Sequence, residues 1–304
     1  MAVNGDSLYR KAETTLNSKT GWFSGVSKEE KLENAAEEFS KAADRYKLEQ
    51  NYKRAGEVFE KSAAIYTQLA AAGGSSQESG YSGAARAFDE AHVAYKMISP
   101  ELGIPPLKKS IDGFQNASNL RRAATKWEEL AKLYEGMGDL PNANEAYKTA
   151  ARLYMGQSQG RHKSNKSRVR NAELTAVLAN DDFNALNESK EIYLAVARSN
   201  LANNTLRFAV KDHLFHYGLV SLSFMDEPTI ANDFAIFPQI DKQFLATREH
   251  NLLQEIFQAI KDQDPDQLQQ KVNVYANLSA LKPWEETMIG RIEDKLRAAE
   301  EDFS

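Results

Sequence analysis

Residues 35–46 read Ala35-Ala36-Glu37-Glu38-Phe39-Ser40-Lys41-Ala42-Ala43-Asp44-Arg45-Tyr46, and one spacing within them decides the fold: alanine, an aromatic four residues on, alanine four further, tyrosine three further. Steps of four, four and three keep all four side chains on one face of an α-helix. The spacing returns intact at Ala55, Phe59, Ala63 and Tyr66, at Ala123, Trp127, Ala131 and Tyr134, and at Ala143, Tyr147, Ala151 and Tyr154. A fifth copy, Ala84, Phe88, His92 and Tyr95, has histidine in third place, with Ala91 beside it. Each copy predicts one amphipathic helix whose small residues admit a neighbouring helix and whose aromatics fill the space that remains. Within the first pair and within the last pair the aromatics lie about 20 residues apart, room for one helix and a short turn. The predicted fold is all-α, a tetratricopeptide-like array of antiparallel helical hairpins.

Turn chemistry punctuates this ladder. Gly73 through Gly80, Ser99-Pro100 and Pro105-Pro106, Gly136 to Asp139, and Gly156 to Gly160 each interrupt the periodicity with residues that suit turns and helix ends. From Ser189 the stripe survives only as Ser189, Tyr193 and Ala197, and the composition changes at Asn203-Asn204-Thr205. The expected division is a repeat domain over 1–204 and a C-terminal helical bundle with an acidic tail over 205–304. In the bundle, Leu206 to Leu222 reads as a buried helix, Ala246 to Lys261 as an amphipathic one, and Pro283 to Ala299 as a last helix with proline near its start. No stretch alternates with period two for long enough to argue for a sheet.

Composition narrows the function. The chain has 304 residues, 42% hydrophobic and 27% charged, with a formal net charge of -5, which gives no general reason to bind nucleic acid. No run approaches the roughly 18–20 apolar residues that span a bilayer, and the N-terminus lacks a secretory apolar run, so a cytosolic protein is expected. There is no cysteine, which excludes thiolate catalysis and cysteine-ligated zinc. His213 and His216 lie three apart without a carboxylate at ligand spacing, and read as packing or surface residues. Asp181-Asp182 reads as a turn or cap rather than a magnesium pair. The glycines of 73–80 lack the Gly-Lys-Ser/Thr of a phosphate loop. No catalytic, metal or cofactor constellation results, and a binding protein is expected rather than an enzyme.

Four surface features remain. Trp22 and Phe23 stand between glycines in an early loop, either packed as a hydrophobic staple or exposed as a wedge for a membrane interface. Arg161, His162, Lys163, Lys166, Arg168 and Arg170 precede the next acid at Glu173, either a solvated face or a surface for an acidic partner. Arg121, Arg122 and Lys126, at helical spacing, either extend that surface or are ordinary surface charge. The chain closes Glu300-Glu301-Asp302-Phe303-Ser304, a fraying tail or a docking segment.

Phe23-Ser24-Gly25 in an early loop, Lys211-Asp212 leading an aromatic-rich helix, Ile236-Phe237-Pro238, Trp284 followed by Met288, Arg291 and Ile292, and the acidic-hydrophobic tail together resemble the alpha-type soluble NSF attachment proteins. That resemblance implies a right-handed superhelical twisted sheet of hairpins before the C-terminal bundle. It implies an adaptor that binds assembled SNARE four-helix complexes and recruits and stimulates the hexameric NSF ATPase for SNARE disassembly in vesicle fusion. It further implies a cytoplasmic protein peripherally associated with membranes through Trp22 and Phe23. Phe303 would take the near-terminal hydrophobic position, where the family usually has leucine. Asp262, Asp264, Glu300, Glu301 and Asp302 would face the ATPase, and the basic residues at 121–126 and 161–170 would grip the SNARE bundle. The alternative is a tetratricopeptide co-chaperone or scaffold holding a peptide in its concave groove.

Overall fold

The computed structural model describes residues 4–18, 27–157 and 160–302, with the side chains of Glu301 and Asp302 excepted. All regular structure among the described residues is helical, without a strand, as the stripe predicts. They divide into two compact units, Met1–Ser164 and Asn165–Ser304. The composition change at 203–205 falls within the second unit, at the turn that follows α9 (Phe183–Leu201).

The first unit contains α1 (Gly5–Asn17), α2 (Lys28–Leu48), α3 (Tyr52–Ala71), α4 (Ser76–Lys96), α5 (Pro100–Asn116), α6 (Leu120–Gly136), α7 (Leu140–Met155) and the first turn of α8 (Arg161–Leu178). From α1 to α7 each helix packs chiefly on the next in sequence, which is what makes the array a ladder. The stripe is its core: Ala35, Phe39, Ala43, Ala55, Ala63, Ala123, Ala131 and Ala143 are fully buried, and Tyr46, Phe59, Tyr147 and Tyr154 nearly so. Burying one such aromatic contributes roughly 1.5–3 kcal/mol.

Three hairpin turns repeat one geometry. Gln50, Ser118 and Gly138 take positive φ (60°, 55° and 78°). The next residue in each case, Asn51, Asn119 or Asp139, sends its N–H back to the carbonyl of Tyr46, Phe114 or Tyr134 and caps the following helix with its side chain. That is a Schellman closure joined directly to an N-cap. Only one of the three turns uses glycine, so sequence alone flagged only Gly138.

One expected turn is helix, and another is shorter than expected. Pro105 and Pro106 lie inside α5, where buried Pro106, Leu107, Ile111 and Phe114 hold a helix that lacks two N–H donors. In the 73–80 stretch only Gly73 and Gly74 turn the chain, with φ of 77° and 64°. Gly80 is already within α4, pressed so closely on α3 that a Cβ would lie 2.5 Å from the Ala70 nitrogen. The histidine of the fifth stripe is explained as well. His92 is fully buried; its Nδ1 lies 2.8 Å from the carbonyl oxygen of Gly103 in α5 and its Nε2 3.2 Å from Glu129 of α6. Alanine would leave those two helices without this tie.

The second unit continues α8 and adds α9, α10 (Val210–Leu222), α11 (Glu227–Phe234), α12 (Phe237–Ile240), α13 (Arg248–Asp262), α14 (Pro265–Ala276) and α15 (Pro283–Asp302), with short 3-10 turns at Arg207–Ala209 and Lys242–Ala246. α10 is its axis: Val210 and every residue from Leu214 to Leu222 are buried, and α9, α11, α13 and α15 all pack on it. Its polar tie is Asp233 of α11, which receives Lys190 Nζ (2.8 Å), the Tyr217 hydroxyl (2.9 Å) and the Ser221 hydroxyl (2.7 Å). A buried carboxylate is tolerable only with such a set of donors.

Candidate functional site

The basic residues expected to form one surface occupy several environments. On α6, Thr125 donates to the Arg121 carbonyl, and the Tyr154 hydroxyl donates to Glu128 (3.0 Å) and to Thr125 (3.2 Å). Lys163, in the first turn of α8, places Nζ 5.4 Å over the ring of the same Tyr154. Burial pushes the Tyr154 hydroxyl up, while the nearby Arg121 charge pulls it the other way. Lys163 and Arg121 are both exposed; Lys163 stands over Tyr154, and Arg121 lies one helical turn before Thr125, which contacts the same hydroxyl.

The other α6 cations point elsewhere. Arg122 is exposed with its guanidinium 5.6 Å over the Phe114 ring of α5. Lys126 is held inside the array, 2.6 Å from Asp89 of α4 and 2.9 Å from Glu129. Burial pushes its ammonium down, but the two carboxylates outweigh this and hold it above its usual range. Along α8 the 100° step per residue sets Lys163, Lys166 and Arg170 on one side and Arg161 and Arg168 on the other. Arg161 and Lys166 are exposed, Arg170 pairs with Glu173, and Arg168 is half-buried, its guanidinium pushed down by burial with no carboxylate partner among the described residues.

The acidic candidates also separate. Asp264 caps α14, accepting from the Gln267 N–H at 2.8 Å, whereas exposed Asp262 accepts from the Gln258 amide at 2.8 Å. Glu300 is exposed near the end of α15, where the backbone of Glu301 and Asp302 is still helical. Trp22, Phe23 and Phe303 lie outside the described residues.

His213 and His216 take different partners: His213 Nε2 accepts from the Asn200 amide (3.0 Å), and His216 Nε2 donates to Glu285 (2.7 Å). Among the described residues no group of three or more His, Cys, Asp or Glu is placed to hold a metal ion. Asp182 caps α9, and Asp181 pairs with Lys295 at 2.7 Å. No helix of the described residues is long and apolar enough to cross a membrane.

One feature of the second unit had no clear sequence signal: a cavity of about 410 Å³ lined by Arg207, Phe208, Lys211, Asp241, Gln243 and Phe244. The only hint was the Arg207-Phe208 pair just after the composition break.

A ladder of paired helices with an aromatic-alanine core and a helical bundle built on α10 define an all-α repeat protein. The chain matches the model of the family described as "Soluble NSF attachment protein, SNAP" over residues 3–297, and it belongs to that family. It is 31% identical, over an alignment of 307 positions covering 100% of both chains, to a probable vesicular-fusion protein sec17 homolog of Neurospora crassa. A probable vesicular-fusion protein sec17 homolog of Schizosaccharomyces pombe is 29% identical, again with 100% of both chains covered. The alpha-soluble NSF attachment protein of Homo sapiens is 25% identical over 97% of this chain and 96% of its own length.

Proposed function

We propose that this chain is a vesicle-fusion adaptor that binds assembled SNARE complexes and couples them to the NSF ATPase for disassembly, acting in the cytoplasm at membrane surfaces without catalysing a reaction itself. Family membership and the names of its relatives support this reading. The observation that carries it is exposed Lys163 over Tyr154, whose hydroxyl meets Thr125 one turn along α6 from exposed Arg121, so that α6 and the start of α8 present cations to an acidic helical bundle. Arg122, Arg161, Lys166, Arg168 and Arg170 would add individually weak, salt-sensitive contacts, and Lys126, already held by two carboxylates, would add least. In the same reading Trp22 and Phe23 attach to the membrane. The acids Asp262, Glu300, Glu301 and Asp302, together with Phe303, engage the ATPase, with Asp264 fixing the helix start beside them.

The test is ATP-dependent disassembly of a fluorescently labelled SNARE complex by a cognate NSF. The chain is expected to be required, and Arg121→Glu with Lys163→Glu to weaken SNARE binding about tenfold or more at low salt. Unchanged binding by that double variant would remove the assignment of the surface. Disassembly that proceeds equally without the chain would remove the adaptor reading itself.

A further inference from the structure

Four of the five copies of the stripe carry alanine in third place; α4 carries His92 there, fully buried. Gly103 of α5 makes the space for its ring, since a Cβ at that position would lie 2.8 Å from Nδ1. Two partners meet the ring, and both are acceptors. Nδ1 lies 2.8 Å from the Gly103 carbonyl oxygen, and Nε2 lies 3.2 Å from Oε1 of Glu129 in α6. A carbonyl has no proton to offer. Neither has Glu129: the hydrogen bond from His92, with Lys126 behind it, outweighs burial and holds this carboxyl far below the usual carboxylate range. Neutral imidazole has one N–H and one lone pair, so it satisfies one of these partners; imidazolium satisfies both.

The remaining charges around the ring balance one another. α4 supplies Asp89 and Lys96, and α6 supplies Lys126 and Glu129. Lys126 Nζ lies 2.6 Å from Asp89 and 2.9 Å from Glu129, and Lys96 Nζ lies 3.4 Å from Glu129. α5 meets the ring with its main chain at Gly103. On the sides of α4 toward its other neighbours, Glu90 pairs with Lys47 of α2, and Tyr95 bonds Glu60 of α3. Imidazole is the one group of this set whose ordinary titration falls near neutral pH. The set also sits where the ladder is thinnest: α5 packs less extensively on α6 than on α4, so the ties from α4 to α6 weigh more.

We propose that His92 is a proton-operated latch in the array, which as imidazolium ties α4 to α5 and α6 at once and on losing a proton keeps Gly103 and releases Glu129. The Gly103 carbonyl is main chain fixed within α5, so the proton retained is the one on Nδ1. Glu129 is partly exposed and has Lys126 and Lys96 as other partners, so it is free to turn away. Nε2 then presents a lone pair to a carboxylate, which is repulsive. α6, on which Arg121 and Arg122 are exposed, loosens against α4 as pH rises and tightens as it falls, while Lys126 and Asp89 keep it in place. The latch is independent of what α6 binds.

Long-range 1H–15N correlation of the 15N-labelled full chain reads both ring nitrogens, with His92 assigned by its loss in His92→Ala. Between about pH 5.5 and about pH 9 the ring should pass from two protons to one, retained on Nδ1. Hydrogen-exchange protection factors in α6, taken against the unstructured rate at each pH, should fall about tenfold relative to those in α3 over the same range. Glu129→Gln offers an amide donor to the neutral ring, so it should remove that fall and leave α6 protected. His92→Ala restores the residue of the other stripes and should make α6 protection independent of pH. A ring with an unchanged number of protons across the range, a last proton on Nε2, or an equal fall of α6 protection in the native chain and in Glu129→Gln overturns the proposal.

Discussion

The two units bury their polar groups in opposite ways. In the first, the core is alanine and aromatic rings, and a partly exposed ion cluster, Lys126 with Asp89 and Glu129, ties α6 to α4. Each helix answers mainly to its sequence neighbours, so local periodicity carries the instructions. In the second, α10 is surrounded, and buried polar side chains from distant positions close on one another. Lys190 meets Asp233, and His216 meets Glu285, 69 residues away. Stacking of Tyr193 on Trp284, with His216 set edge-on to both, completes that core. A ladder tolerates change one rung at a time; a surrounded helix makes its partners depend on each other.

The largest expected effect breaks the second unit at its tie. Asp233→Ala leaves the Lys190 ammonium buried without its counter-charge and removes the acceptor of Tyr217 and Ser221. Destabilisation of about 3–5 kcal/mol is expected in urea unfolding followed by hydrogen exchange of α10. If Lys190→Met combined with Asp233→Leu is as damaging as the single change, uncompensated charge is not the cause.

Acid should separate the units next. Burial, helped by the neighbouring His216 and Lys282 charges, pushes His213 down to about 4 from an ordinary 6.5. The unfolded chain then takes up a proton at His213 from about pH 6.5 downward while the folded chain resists until about pH 4. Stability is full above 6.5 and falls between 6.5 and 4, by roughly 3 kcal/mol from this group. Glu285 acts in the same sense at lower pH. Burial raises its pKa, but the hydrogen bonds from His216 and the Lys282 N–H outweigh that and hold it below the usual range, so its contribution is lost as pH falls below about 4.5. Hydrogen-exchange protection factors in α10 and α13, taken against the unstructured rate at each pH, should fall from pH 6.5 to 4.5 in the native chain and change much less in His213→Gln. An equal fall in both would show that another group governs the acid response.

The smallest expected effect sharpens the account of the ladder. Gly80→Ala forces a Cβ against the α3 backbone and should cost about 1–3 kcal/mol, whereas Gly136→Ala meets nothing within 4 Å and should be neutral or slightly stabilising. Thermal unfolding of the two variants compares them directly. Equal shifts would mean that α3 and α4 can part at little cost.

The stripe was legible because four side chains on one helical face are a local fact: Phe39, Phe59, Tyr147 and Tyr154 could be named as core from spacing alone. In the second unit α15 starts at Pro283 as its proline suggested, whereas the buried helix expected from Leu206 begins at Val210, after a 3-10 turn in which Phe208 is exposed. The proline pair of α5 was not, because packing of Pro106 and Leu107 overrides a local preference. The basic surface was legible only as a list. Lys126 and Arg121 are five residues apart on one helix, yet one is clasped by α4 and the other is exposed.

Sequence by itself determined the helical class, the hairpin period, the stripe that becomes the core and the family resemblance, since each is written in residues near one another along the chain. Tertiary structure alone decided which charges are spent inside the array and which remain available. It also placed His92 between Gly103 and Glu129, and Arg207 beside Phe208 and Lys211 in a hollow at the head of α10. Those outcomes depend on the distance between side chains on different helices, and spacing along one helix does not encode that distance.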